Sequence, residues 1–200
     1  MKKLSIDNPF FNLMGTAGDF ILLNIVFFVT CIPVVTIGVS LTSLYRVMIK
    51  HQQGECAYPV QEYFRTFRKE WKQSTLLWLV FLITGAILVF DILYAQNMTR
   101  VLNVAIGALA LVWGFVYIYA FPLQGQYRNT VKNTLKNALL LSVANLHFTM
   151  LMLLLNAVPV ICMVLGDFIM AMAVPVYIVI GFSLTAWVNS FLLLKIFRKI

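Results

Sequence analysis

Five long stretches without a charged residue divide this chain of 200 residues, and they constrain its fold more than any other feature. They lie at residues 20–45, 73–90, 101–127, 137–166 and 168–194. A helix rises about 1.5 Å per residue, so about 20 apolar residues cross the roughly 30 Å hydrocarbon core of a bilayer. Membrane-spanning strands would show shorter segments of alternating polarity, a pattern that these stretches lack. The spacing predicts an all-α fold, a polytopic transmembrane helix bundle with about five spans.

The composition also indicates a membrane protein. Hydrophobic residues make up 62% of the chain and charged residues 11%, whereas soluble domains have about 45–50% and about 25%. A water-soluble fold of this length could not bury so much apolar surface. We therefore expect a single integral membrane domain over residues 1–200. Its predicted spans are, in chain order, residues 20–45, 73–94, 101–123, 145–165 and 168–194.

The first stretch contains Pro33 and Gly38, which disfavour a straight helix. Proline removes a backbone donor and kinks or breaks a helix. Two interpretations remain: one span that bends at Pro33, which we favour, or a re-entrant hairpin that returns to the side from which it entered. The fourth stretch is long for one crossing, and we expect its first part, up to about His147, to lie near the interface.

The basic residues predict an orientation, because cytoplasmic loops carry an excess of Lys and Arg. Twelve of the 15 basic residues lie in residues 46–72, residues 128–136 and the C-terminal tail, which we expect to face the cytoplasm. The N-terminus is then outside if the first stretch is one span, and inside if it is a hairpin. The formal net charge of +8 is explained by attraction to anionic lipid headgroups, so we expect no nucleic-acid partner.

Two segments that precede spans have the pattern of amphipathic helices, and we call them the first and second elbow. The first elbow, residues 61–72, repeats Phe64, Phe67 and Trp71 at helical spacing on one face, with cations on the other. The second elbow, residues 127–137, has stripes of basic residues and of asparagines at four-residue spacing. Such helices lie in the cytoplasmic interface, with rings at the acyl boundary and cations among the phosphates.

The elbows have two interpretations. They are either interfacial anchors that position the protein or a docking surface for a cytoplasmic or membrane partner. The asparagine stripe favours docking, because an amide gains little from phosphate headgroups but hydrogen-bonds well to another protein. The predicted docking residues are Arg65, Phe67, Trp71, Arg128, Lys132 and Asn133.

Polar groups inside apolar spans are costly, so they are candidates for function. The predicted set is Asn24, Asp91, Asn156 and Asn189. We expect the three asparagines to hydrogen-bond between helices, at about 0.6–2 kcal/mol each. Asp91 lies about one turn from the end of its span, where we expect a structural pair with Arg100; an ion-coupling role is the alternative.

The sequence has no pattern typical of an enzyme or of a metal site. It lacks P-loop, H-E-x-x-H, G-x-S-x-G and paired-carboxylate motifs. Its three cysteines are scattered, which disfavours a disulfide framework and a zinc site. We predict a non-enzymatic protein without catalytic residues, metal or cofactor. The chain also lacks the cytoplasmic loop motif through which bacterial import permeases bind their ATPase. It is therefore not predicted to be such a permease.

Several ordered blocks of the sequence resemble the YesL-like family of bacterial membrane proteins. The blocks are residues 7–11, 18–24 and 33–38 near the N-terminus, and residues 64–73 and 131–138 at the elbows. The resemblance implies a small polytopic protein of the bacterial cell membrane, in a family without an agreed activity. It also implies a setting, because genes of this family accompany carbohydrate ABC importers, sugar-binding proteins and polysaccharide-degrading enzymes.

The sequence and the resemblance support two functional hypotheses. The first is an accessory subunit that binds the permease of an oligosaccharide ABC importer, or its sensor kinase, through the elbows. The second is a small self-contained transporter or channel in which Asp91 and the three asparagines line a path. Five helices are few for such a machine, so the second hypothesis favours a homo-oligomer.

Overall fold

A computed structural model describes residues 9–94, 100–127, 129–164 and 166–198. The described residues form helices and their connections, and no strand occurs among them. The predicted all-α fold is therefore confirmed. The helices are α1 (Pro9–Cys31), α2 (Ile37–Gln52), α3 (Pro59–Tyr94), α4 (Arg100–Gln126), α5 (Val131–Ala144), α6 (Leu146–Val164), α7 (Asp167–Val176) and α8 (Phe182–Phe197), with a 3₁₀ turn at Val34–Thr36 and a π-helical turn at Tyr177–Gly181.

Within the described residues, four helical stretches are long and apolar enough to cross a membrane. They are Met14–Cys31, Pro59–Tyr94, Arg100–Gln126 and Ile169–Phe197. Helices α5 and α6 meet at 106° and add a fifth if this bent pair is one span. Large apolar side chains are exposed along these stretches, as lipid-facing surfaces require. The predicted polytopic bundle of about five spans is confirmed.

The first predicted span, residues 20–45, is a helical hairpin rather than one bent helix. The ring of Phe20 in α1 lies 5.7 Å from that of His51 in α2, and Ser40 Oγ donates to Thr30 Oγ1 at 3.0 Å. The two helices therefore run antiparallel from a tip at Pro33. Our preference for a bent span was wrong, because the chain reverses at this proline instead of continuing past it.

The hairpin tip ends part-way along the apolar length of α3. Gly38 packs so closely on α3 that a Cβ atom there would lie 2.7 Å from the carbonyl oxygen of Ser74 and closer still to the Cβ of Trp78. From Gly38 the chain advances only about 10 Å to the tip. Beyond Trp78, α3 continues through residues 79–94, which is about 24 Å. The tip therefore stops short of the far end of the bundle.

Helix α2 is the centre of the bundle, in contact with α1, α3, α4 and α8. It is the least apolar of the long helices, and its hydroxyl groups are buried. Thr42 and Ser43 donate to carbonyl oxygens of their own helix at 2.9 and 2.8 Å. Its neighbours thus keep a polar helix out of the lipid.

The first elbow, residues 61–72, is not a separate interfacial helix. It is the first part of α3, which is 36 residues long. No Gly or Pro occurs between residues 60 and 84, so nothing in the sequence interrupts the helix. At about 54 Å, α3 exceeds the hydrocarbon thickness, and the first elbow extends it beyond the membrane. The second elbow differs, because α5 is a helix of its own that turns sharply into α6.

Cysteine accessibility distinguishes the hairpin from a bent span. In a chain whose native cysteines are replaced by serine, we expect Met14→Cys and Gln53→Cys to react with a membrane-impermeant maleimide from the same side. Arg100→Cys is expected to react from the other side. Ile32→Cys, at the tip, is expected to stay unreactive because lipid surrounds it. Labelling of Met14→Cys and Gln53→Cys from opposite sides would contradict the hairpin.

Candidate functional site

The two elbows meet at a buried glutamine in α4. The Gln124 side chain is 1% exposed. Its Nε2 donates to Gln73 Oε1 at 2.8 Å and to Glu70 Oε2 at 3.2 Å, both in α3. Its Oε1 accepts a hydrogen bond from Thr134 Oγ1 in α5 at 2.8 Å. One amide therefore joins three helices and fixes the first elbow against the second.

A cleft of about 710 Å³ lies between the elbows. One wall is residues 68–73 of α3, and the other is Asn129 and Thr130, just before α5. The α3 wall carries the cations Arg68, Lys69 and Lys72, with Glu70 and the half-exposed ring of Trp71. The arrangement offers a positively charged recess beside an aromatic ring, which suits an anionic or amphipathic ligand better than a reaction centre.

The start of α3 is joined to α2 by one ion pair. Glu62 accepts from Lys50 Nζ at 2.7 Å and also pairs with Arg65. Burial raises the pKa of the nearby Cys56 thiol, and the Glu62 carboxylate raises it further. Along the same helix, the ring of Phe67 stacks 6.2 Å from Tyr63 and meets Trp71 at 5.2 Å. Phe67 is thus part of the packing, and Trp71 presents the exposed end of this aromatic row.

The predicted docking residues occupy different parts of this region. Trp71 lines the cleft, and Lys132 and Asn133 are exposed on the first turn of α5, directly after it. Arg65 is exposed but lies farther along α3, in its ion pair with Glu62. Arg128 lies outside the described residues. The fold therefore brings Trp71 close to the second elbow, although the two elbows are about 60 residues apart in sequence.

Asn24 makes the predicted interhelical hydrogen bonds, and its target is the π-helical turn. Its Nδ2 donates to the carbonyl oxygens of Tyr177 and Ile178 at 3.0 and 2.6 Å. Its Oδ1 accepts from the backbone N–H of Ser183 at 2.9 Å. Ile178 and Ser183 are five residues apart, the spacing of a π-helical bond. The side-chain amide therefore replaces a backbone hydrogen bond of the last helix.

The other intramembrane candidates have separate environments. Asn189 is buried and donates to Tyr45 OH at 3.2 Å, between α8 and α2. Asn156 donates to Met152 O in its own helix at 2.8 Å, so our prediction of an interhelical bond is wrong there. Asp91 forms no ion pair with Arg100 or with any other described residue. No hydrogen bond among the described residues joins one of these candidates to another.

Gln124 and Glu70 were missed by the sequence interpretation. Glu70 lies among the cations of the first elbow, so it looked like one more residue of a charged helix face. Gln124 lies near the end of an uncharged stretch, which was interpreted only as a span. The signal that could have found Gln124 is its polarity between Phe121 and Gly125, within a run of otherwise apolar residues. In the described part of the chain, no three His, Cys, Asp or Glu residues are placed to hold a metal ion.

Apolar helices of spanning length around a buried polar helix define a multi-pass helical membrane protein. A family model described as a protein of unknown function, DUF624, matches residues 20–92, which cover most of the hairpin and nearly all of α3. Two proteins of Bacillus subtilis (strain 168) are similar. The uncharacterized protein YesL is 30% identical over 127 residues, or 62% of this chain and 59% of YesL. The uncharacterized protein YteU is 30% identical over 119 residues, 57% of this chain and 53% of YteU.

These matches confirm the predicted resemblance to the YesL-like family, whose function is unknown. The match covers only between half and three fifths of the length of each relative. No solved structure matches the chain. Neither relative's name states an activity, and nothing in the described residues points to catalysis.

The role of Asn24 is tested by a matched pair of substitutions. Asn24→Leu removes the amide from the π-helical turn and leaves buried backbone groups without partners, so we expect it to lower the free energy of unfolding by about 1–3 kcal/mol. Asn156→Leu is the control, because it removes only a bond to its own helix, and we expect an effect close to zero. Unfolding of the purified protein in detergent, titrated with dodecyl sulfate, measures both. Equal losses in the two variants would refute this role.

Proposed function

We propose that this protein is a non-enzymatic accessory subunit of the bacterial cell membrane. It binds the permease of a carbohydrate ABC importer, or the membrane sensor kinase that controls it, with its basic loops and C-terminus in the cytoplasm. One observation carries the proposal: Gln124 hydrogen-bonds to both elbows. Two segments that are distant in the sequence thereby form one basic surface.

The exposed groups of this surface suit a protein partner. Trp71 is 43% exposed, although large aromatic side chains usually find cover. Directly after the other wall of the cleft, Lys132 and Asn133 add a cation and an amide at the start of α5. Aromatic anchors surrounded by polar groups are typical of the centres of protein interfaces. A groove of about 670 Å³, lined by Phe64, Arg65 and Arg68 among others, extends the surface along α3.

The carbohydrate setting of the proposal comes from the family resemblance. Genes of the family accompany oligosaccharide importers, which supplies the class of partner but no contact. The self-contained transporter has less support, because Asn24 and Asn189 are engaged in interhelical hydrogen bonds and Asn156 bonds its own helix.

Affinity purification tests the proposal. The tagged protein is isolated in mild detergent from membranes of its own host, grown on a complex polysaccharide, and co-purifying proteins are identified by mass spectrometry. We expect an importer permease or a sensor kinase in near-stoichiometric amount. Recovery of the protein only with itself would overturn the proposal and favour the self-contained, homo-oligomeric transporter.

Two triple variants locate the contact. Trp71→Ala, Lys132→Gln and Asn133→Ala remove an aromatic ring, a cation and an amide from the elbows, and we expect them to reduce recovery of the partner at least about tenfold, the effect of 1.4 kcal/mol. Tyr94→Ala, Arg100→Gln and Asn103→Ala remove the same groups from the opposite end of the bundle, and they should leave recovery unchanged. Equal recovery with both triple variants would show that the elbows do not bind the partner.

A further inference from the structure

The cleft between the elbows carries cations that make no ion pair with a described residue. Arg68, Lys69 and Lys72 line it, and none of the three makes an ion pair or a hydrogen bond with another described residue. The nearby cations Lys50 and Arg65 differ, because both pair with Glu62. Among the described residues, the cleft therefore holds three cations, none of them in an ion pair, beside a single carboxylate, that of Glu70.

Glu70 offsets only one of these three positive charges and makes no ion pair with any of them. It lines the cleft, but its side chain is only 7% exposed, and its Oε2 accepts a hydrogen bond from Gln124. The same glutamine holds the side-chain oxygen of Gln73, which leaves the Gln73 Nε2 free to donate into the cleft. The lining thus combines excess positive charge with an uncommitted amide donor, which is the chemistry that binds phosphate oxygens.

The cleft lies at the depth of the lipid headgroups. Lys72 is the last charged residue before the apolar part of α3, and Leu76, one turn later, is 54% exposed. Trp71, on the wall of the cleft, is a residue type that concentrates at the membrane–water interface. A ligand in the cleft therefore has water on one side and lipid-facing apolar surface on the other.

We propose that this cleft binds the phosphate-bearing headgroup of an anionic phospholipid from the adjacent leaflet. Lys69 and Lys72 neutralise the phosphate, Gln73 donates a hydrogen bond to it, and the acyl chains lie along the apolar surface that begins at Leu76. A soluble acidic peptide would satisfy the charges only, whereas a phospholipid matches both the cations and the adjoining apolar surface. The cleft shares Trp71 with the proposed partner surface, but lipid binding needs only this chain and a bilayer, so it is tested without the partner.

Lipid binding to the purified protein tests this site. The protein in mild detergent is offered phosphatidylglycerol or phosphatidylcholine, and retained lipid is counted by native mass spectrometry. We expect the wild type to retain phosphatidylglycerol preferentially. The double variant Lys69→Gln, Lys72→Gln should lose about thirtyfold in this preference. Each cation near an anionic surface raises the affinity for it about five- to sixfold, and the variant removes two.

The control double variant is Lys136→Gln, Lys195→Gln. It removes the same charge from exposed positions outside the cleft, and it should keep the preference. Thermal unfolding without added lipid checks that both double variants are folded. If both double variants lose the preference for phosphatidylglycerol equally, the binding is general electrostatic attraction. If the cleft variant keeps the preference, the lipid does not bind in the cleft. If the wild type binds a hexaglutamate peptide and shows no lipid preference, the ligand of the cleft is an acidic protein segment. Each of these three results overturns the proposal.

Discussion

The structure depends on the enclosure of one polar helix, α2, within an otherwise lipid-facing bundle. A helix in lipid satisfies its own backbone, but hydroxyl and cationic side chains on its surface remain costly. Here the hydroxyls donate back to the carbonyl oxygens of α2, and Arg46 donates to Gln126 Oε1 at 2.8 Å. The contacts of α1, α3, α4 and α8 with this helix follow from the same need. They set the position of the hairpin and, through α3, of the first elbow.

Two side-chain amides then fasten the elements around this centre. At the start of the last helix, the π-helical turn disturbs the hydrogen-bond ladder, and Asn24 supplies both a donor and an acceptor there. At the elbows, Gln124 joins three helices. Amides suit both places because each carries donors and acceptors without a charge that would have to be buried.

The sequence predicts the elements better than their contacts. Charge-free runs locate the apolar helices because length and hydropathy are local properties, and the spacing of Phe64, Phe67 and Trp71 correctly predicts a helix. Pro33 is compatible with a bend or a reversal, and the choice is decided by the packing of Gly38 on α3, which no local pattern reveals. Asn24 and Asn156 look alike in sequence, yet only Asn24 faces another helix. The site depends on Gln124, whose partners are 51 and 54 residues away in one direction and 10 in the other.

The central claim is that two distant elbows form one surface, and intramolecular crosslinking tests it most directly. Gln73→Cys and Thr130→Cys, in a chain whose native cysteines are serine, place one thiol on each wall of the cleft. In native membranes, a short bifunctional maleimide is predicted to join the two thiols within one chain. If both cysteines react singly with a maleimide but no intramolecular crosslink forms, the elbows are apart, and the shared surface does not exist.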